Sequence, residues 1–524
     1  MKSTLVSFVA RLVAVLGLYI AGASVASAAI ETYPRPSVYS ASTTYSLTVD
    51  GVSVPVILGP GYDYAHFTMM SGPINLQATL LTASITQWAI CPAKFGISPN
   101  VSGSTMSFSL SQDRYLIIAI NGLRRLVIAI DPPYTKPASS GAGIYNVVAS
   151  PYNANNQGTG WATTGIQQAI DAANAAGGGI VYAPRGIYYV GNLTLKSNVS
   201  LFMEPGAVFR FHGTPADYTQ DAFKTSQNRW LTWWIKTAVG ANNVKIYGRG
   251  TLDANAAYSI SANNFACNVV VPLGCSNFTM EGILVRDAGT WGIIPARSDN
   301  LNFTNLKMFN SLSLGEDDCI DVNESQHVVV NHCIGIGLDD PFSTKTWAGT
   351  GITTNWPGNP EVVDDVLFQD CIAYTICYGF KAGQGVNQTQ NNVRFVNNVV
   401  FDCAVGIGID AKYGTAAATN IRFESIDIER VNQGPNDGHK VWFYAQVENA
   451  DSLGGSAVSG VYLKNITVRS AGTTAAGLHG YSATKGFNQV TFENVIMPGQ
   501  TTRATTLAQM NVTDVQFATN LTVR

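Results

Sequence analysis

Between residues 30 and about 131 the chain alternates apolar and polar positions with the two-residue period of half-buried strands. Tyr45, Leu47 and Val49 run up to Asp50-Gly51, and Val52, Val54 and Val56 run away from it. That is a hairpin signature, because both turn residues tolerate positive φ. The segment MSFSLSQDRYLIIAINGLRRLVIAI repeats the arrangement around Asn121-Gly122. No helical period intervenes, so residues 29–135 are expected to form a small antiparallel β-sandwich. The Pro- and Gly-rich DPPYTKPASSGAG that follows breaks the alternation and predicts a linker over 136–150.

One helix stands out next. In TTGIQQAIDAANAAGGG, Ile166, Ala169, Ile170 and Ala173 share a face, with Thr163 or Thr164 as the cap and Gly177 to Gly179 as the stop. From there an Asn- or Asp-like residue followed by an alternating strand recurs: SNVSLF at 197, NNVKIY at 242, SNFTME at 276, DNLNFT at 299, QHVVVN at 326, DDVLFQ at 364, NNVRFV at 391, TNIRFE at 419, SGVYLK at 459 and NQVTFE at 488. The intervals run from 23 to 45 residues. Coils of three strands with occasional inserted loops have this period, so residues 151–524 are expected to form a parallel β-helix whose first coil the helix covers. The fold class is therefore all-β.

Composition sharpens the picture. Charged residues make up 12% of the chain and the formal net charge is −3, which leaves no basic footprint for nucleic acid or an anionic membrane. Lys2 and Arg11, the apolar run Leu12 to Ile20 and Ala26-Ser27-Ala28 predict a signal peptide over 1–28, and hence export to the extracellular space or to the periplasm of a Gram-negative bacterium. The eight cysteines match no zinc spacing, so no metal or cofactor is expected. Either Cys267 with Cys275 or Cys371 with Cys377 is near enough in sequence to pair, while Cys319, Cys333, Cys371 and Cys403 equally suit buried free thiols. A capped solenoid of this kind is expected to be a monomer.

The candidate chemistry lies in LGEDDCIDVNESQHVVVNHCIGIGLDDPFSTKTW, residues 314–347. Ile320 and Val322 fit the inward face of a strand, leaving Cys319 and Asp321 outward and Asp318 at its start. Asp339-Asp340 follows 21 residues after Asp318, close to one coil, so the carboxylates converge on one outer groove. Hydrolysis of a glycosidic bond needs such a group: one protonated acid for the leaving oxygen and one carboxylate to activate water, separated in inverting enzymes by roughly 6.5–9.5 Å.

The segment resembles the polygalacturonases of glycoside hydrolase family 28. Their Asn-Thr-Asp motif corresponds to Glu316-Asp317-Asp318 and their Asp pair to Asp339-Asp340, and the similarity covers most of residues 155–497, including YGRGTLDA and TWGIIPARSDNLNFTNL. The resemblance implies a right-handed parallel β-helix that cleaves polysaccharide with inversion, with Asp339 as general acid, Asp318 and Asp340 holding the water, and Asp321 lining the site. Two departures bear on the substrate. Tyr378-Gly379 stands where the family has His-Gly, and Gly408-Ile409-Asp410 where it has the Arg-x-Lys that grips a uronate. Lys345, Lys381 and Lys412 are the candidate replacements, and Trp347, Tyr378 and Asp410 join them as expected substrate contacts. The N-terminal sandwich is similar to that of the family 49 dextranases and isopullulanases, which implies a neutral α-glucan as the alternative substrate.

Two other readings of the acids are a Ca²⁺-dependent polysaccharide lyase and a non-catalytic glycan-binding β-helix. Trp356 and Tyr413 also flank the site segments, whereas Trp230, Trp233 and Trp234 suit a core or domain interface and His327 and His332 are read as structural. Whether the loops Ala348 to Asp365 and Asn432 to Gly460 close the groove decides between internal and terminal cleavage.

Overall fold

The computed structural model describes residues 29–524, so the expected signal peptide lies outside the described residues. Two sheets come first, one antiparallel as expected and one mixed, because Arg125–Asp131 runs parallel to Tyr62–Met69. One contains Tyr45–Val49, Val52–Val54, Ile74–Leu80, Asn100–Ser102 and Thr105–Leu110; the other is built around Tyr62–Met69, Tyr115–Ile120 and Arg125–Asp131. Both sequence-predicted hairpins form, with Leu47 opposite Val54 and Ile118 opposite Leu126, and Asp50 and Asn121 take positive φ at 47° and 50°. The inward residues of the two sheets make one core, including Leu47, Phe67, Leu76 and Ile128.

The parallel β-helix begins with Ile144–Asn146, which lies inside the segment read as linker and pairs with Gly179–Ala183. The helix Thr163–Ala175 buries Ile166, Ala169, Ile170 and Ala173 as its pattern predicts. Its cap differs from expectation: Ala162 holds the N-cap position, and the Thr163 hydroxyl accepts the Gly191 N–H at 2.7 Å instead. Coils then stack in parallel register through a sheet of 23 strands and a separate face of seven.

The recurring Asn has a conformational cause. Asn198, Asn243, Asn277, Asn300, Asn392 and Asn420 all sit at φ between 52° and 62°, the left-handed corner at the entry to each strand, where Asn is tolerated better than most residues. Their amides also ladder between coils, with Asn243 donating to Asn198 at 3.0 Å. Inside, aromatic rings repeat at the rung spacing: Phe395 stacks on Phe368 and on Phe423, each with centroids 5.0 Å apart. All eight cysteines are buried and free, so neither candidate disulfide forms. Among the described residues no helix is long and apolar enough to cross a membrane.

The sandwich is fixed to the solenoid by a buried ion cluster. Asp131, on the last sandwich strand, accepts from Lys307 at 2.8 and 2.9 Å, from Tyr115 at 2.8 Å and from His66 at 2.6 Å, with Arg249 at 3.2 Å. Asp131 and Lys307 are both fully buried.

The seven-stranded face carries the site. Its first four rungs are β1 (Ile320–Asn323), β2 (Phe342–Thr346), β3 (Tyr378–Val386) and β4 (Val405–Tyr413).

Candidate active site

A cleft of about 450 Å³ lies over these rungs. Asp318 enters it from the start of β1, Asp339 and Asp340 from the turn before β2, Lys345 from β2, Lys381 from β3, and Asp410 and Lys412 from β4. The turn that presents the Asp pair is held by Asp317, whose Oδ1 accepts the N–H groups of Leu338 at 2.8 Å and Asp339 at 3.0 Å. Thr375, one coil on, donates to the carbonyl oxygens of Leu338 at 2.9 Å and Asp339 at 2.6 Å. The relay reaches the sandwich as well: Tyr62 donates to the Asn310 carbonyl at 2.9 Å, and the Asn310 amide donates to the Asp317 carbonyl at 2.7 Å.

Each acid has a different electrostatic environment. Asp340 is ion-paired with Lys381; burial would raise its pKa, but the Lys381 and Lys345 ammoniums outweigh burial and hold it below the ordinary carboxylate value. Asp339 has no ammonium in direct contact. Burial, reinforced by the Asp318 and Asp340 carboxylates, pushes it up to about 7. Lys345 lies 2.6 Å from Asp318 and 3.0 Å from Asp321, so two acids share one cation. Burial raises both, Asp321 to about 8.

One wall of the cleft is aromatic and the rim is built by loops. The Lys224 and Lys345 ammoniums each lie 4.0 Å from the Trp291 ring centroid, and Trp291 stacks on Trp347 at 5.7 Å. Lys224 comes from the hairpin of Ala222–Lys224 and Arg229–Thr237 and is ion-paired with Glu316. The loop after Trp347 contributes Thr350, Gly351 and Ile352 and is tied down by Arg297, which donates to the carbonyl oxygens of Pro357 and Gly358 at 3.0 and 2.8 Å. Asn436 and Asp437 line the opposite side, so both loops singled out in the sequence border the cleft.

One oxygen each of Asp339 and Asp340 and the Cys377 sulfur lie within 4.8 Å of one another. They are a poor cage for a hard cation. Asp340 already holds the Lys381 ammonium, burial keeps the Cys377 thiol protonated, and Ca²⁺ takes about six to eight oxygens.

The sequence profile of glycosyl hydrolases family 28 matches residues 181–516. The chain belongs to that family. It is a polysaccharide-cleaving glycoside hydrolase. No curated protein matches the chain. Among solved structures, the family 28 exopolygalacturonase of Yersinia enterocolitica superposes with a TM-score of 0.59 at 16% identity, covering 94% of this chain and 96% of its own. The hyperthermoactive exopolygalacturonase from Thermotoga maritima gives 0.50 at 17% identity, over 69% of this chain and 93% of its own. At these identities the likeness is one of fold.

Against the family 28 expectation, Asp318, Asp339, Asp340, Lys345, Trp347, Lys381, Asp410 and Lys412 all line the cleft. Two expected contacts do not. Asp321 is fully buried beneath Lys345, with Ser343 donating to it, and takes no part in the lining. Tyr378 is 1% exposed and lies under Lys381, whose ammonium is 5.3 Å from its ring centroid. Gly408 makes room for it, since a Cβ there would come within 2.7 Å of the ring. Cys319, expected outward, is packed in the core, where its thiol donates to the Ile336 carbonyl at 3.8 Å. Tyr413 lines the cleft, whereas Trp356 is buried behind the wall. His332 packs on Tyr115 of the sandwich and His327 pairs with Asp299 on the outer surface, away from the acids. Sequence reasoning passed over Lys224, Trp291 and the turn-holding role of Asp317; for Asp317 the signal was its place within the motif.

Replacing Asp317 with Ala removes the acceptor for two N–H groups of the turn that presents Asp339 and Asp340. We expect kcat to fall about 10–100-fold with little change in KM, as initial-rate kinetics will show.

Proposed function

We propose that this family 28 enzyme hydrolyses its polysaccharide with inversion, Asp339 acting as general acid and Asp318 with Asp340 activating the water. What carries the assignment is the contrast between neighbours. Asp339 is raised to about 7 and so carries a proton in mildly acidic solution, while Asp340 is held ionised by Lys381. Proton donor and base thus stand side by side. The stereochemical part rests on the family resemblance of the three acids.

The sugar at the cleavage subsite is, in this proposal, uncharged. Each lysine lining the cleft is engaged: Lys224 by Glu316, Lys345 by Asp318 and Asp321, Lys381 by Asp340, and Lys412 by Asp437 at 3.5 Å. Asp410 stands where the family places its cationic grip, and a uronate there would meet a carboxyl group instead. Release of reducing ends from galacturonan, rhamnogalacturonan, dextran and pullulan tests this. A neutral glucan should be hydrolysed well and plain galacturonan poorly; efficient galacturonan cleavage would contradict it.

Activity requires Asp339 protonated and Asp340 ionised. The rate should therefore decline as pH rises through about 7; on the acid side it should decline first as Asp318, which burial holds above the ordinary carboxylate value of about 3.9, takes up a proton, with Asp340 following below that value. Lys381→Met removes the charge that depresses Asp340. The acid limb of kcat/KM should then move to higher pH, and an unmoved limb would show that Lys381 does not set it.

A further inference from the structure

We propose that Phe223 and Trp230 form a sugar-binding platform at the rim of the cleft, where a pyranose ring of the polysaccharide stacks while its neighbour is cleaved. The proposal rests on the polysaccharide-hydrolase reading of the cleft.

Phe223 and Trp230 lie directly opposite one another across the antiparallel hairpin, with ring centroids 5.4 Å apart and planes inclined at 69°, so that one ring offers a face for stacking with the other edge-on beside it. They are 40% and 45% exposed, although Trp230 was expected to be buried. The alternate pairs, Ala222 with Leu231 and Lys224 with Arg229, occupy the other face, where Ala222, Leu231 and Lys224 are buried. The hairpin thus has a packed face and an outer face of two adjacent rings. Phe223 itself lines the cleft, and Thr225 and Ser226 beside it place hydroxyl groups along the same rim.

The hairpin that carries the two rings is anchored at its base and at its turn. At the hairpin base, Asp221 accepts from the Trp233 N–H at 2.8 Å and from Thr219 at 2.7 Å, and its carbonyl takes the Asn355 amide at 2.7 Å. At the turn, the Gln227 amide donates to the carbonyl oxygens of Gly289 and Gly315, each at 3.0 Å. Lys224 is fixed between Glu316 and Trp291. A fixed aromatic surface binds with little ordering cost, and a pyranose presents an apolar C–H face of about one ring's area. The ligand class is therefore a pyranose in the chain under attack, bound by its apolar face.

The test measures binding apart from turnover. Asp339→Asn and the triple variant Asp339→Asn/Phe223→Ala/Trp230→Ala are run in native gels cast with galacturonan, rhamnogalacturonan, dextran or pullulan. On at least one of these, Asp339→Asn should be retarded and the triple variant should bind about fivefold or more weakly. Asp339→Asn/Phe223→Trp, which keeps an aromatic ring, should bind like Asp339→Asn. Equal mobility of the single and triple variants on all four polysaccharides overturns the platform. Loss of retardation in the Phe223→Trp variant also overturns it, because that loss tracks hairpin damage and not the ring. Digestion of the gel polysaccharide by Asp339→Asn would instead defeat the acid assignment, and the mobility comparison would still decide the platform.

Discussion

Replacing Asp339 with Asn should lower kcat by about a thousandfold while KM changes by no more than about threefold, measured as initial rates on the best polysaccharide. The substitution is nearly isosteric. Asp339 lies on a turn fixed by Asp317 and Thr375, so the backbone stays in place when the side chain changes. What disappears is a proton available near pH 7, and an amide cannot supply it. Asp340→Asn should be comparably damaging for the opposite reason. It removes the carboxylate that Lys381 keeps ionised and leaves that buried ammonium unpaired. If Asp339→Asn kept most of its turnover while Asp340→Asn lost it, Asp339 would not be the acid, and the proton donor would be another group of the cleft.

The second large effect lies far from the cleft. Asp131→Asn should destabilise the protein by about 3–5 kcal/mol, seen as a lower calorimetric midpoint, because it strands buried positive charge. Lys307 is fully buried and both oxygens of Asp131 face it, with Arg249 alongside. The same cluster gives a pH signature. Burial, with Lys307 beside it, pushes His66 down to about 4, so the unfolded chain binds its proton more readily than the folded one. Stability from this group is complete above about 6.5 and is lost as pH falls towards 4. His66→Gln should flatten that decline.

The parts of the fold that were legible in the sequence were those with a local cause. Asn243 and Asn392 mark strands because the corner at the strand entry needs positive φ, which Asn tolerates well, although His327, Asp365 and Gln489 hold the same corner. The Asp50-Gly51 turn is legible for the same reason. The Asp318 to Asp339 interval, near one coil, foretold that the acids would share a face, and both line one cleft. The illegible parts depend on what lies above a side chain. Asp321 has the outward direction expected of it, yet Lys345 folds across it, and Lys381 covers Tyr378 in the same way. The hairpin carrying Phe223 and Trp230 reaches the cleft through contacts with Gly289, Gly315 and Asn355, 60 to more than 130 residues away in the chain. No local pattern encodes such an approach. Trp230 therefore looked like core, as an isolated Trp in an apolar run does.

Proton NMR of the first products decides between inversion and retention. With the preferred polysaccharide, spectra taken within minutes of adding enzyme, before mutarotation, report the anomer released. Inversion gives the configuration opposite to that of the bond cleaved, the outcome of water attacking from the far side while Asp339 protonates the leaving oxygen. Initial release of the same anomer as the parent bond would contradict it and make Asp340 a nucleophile.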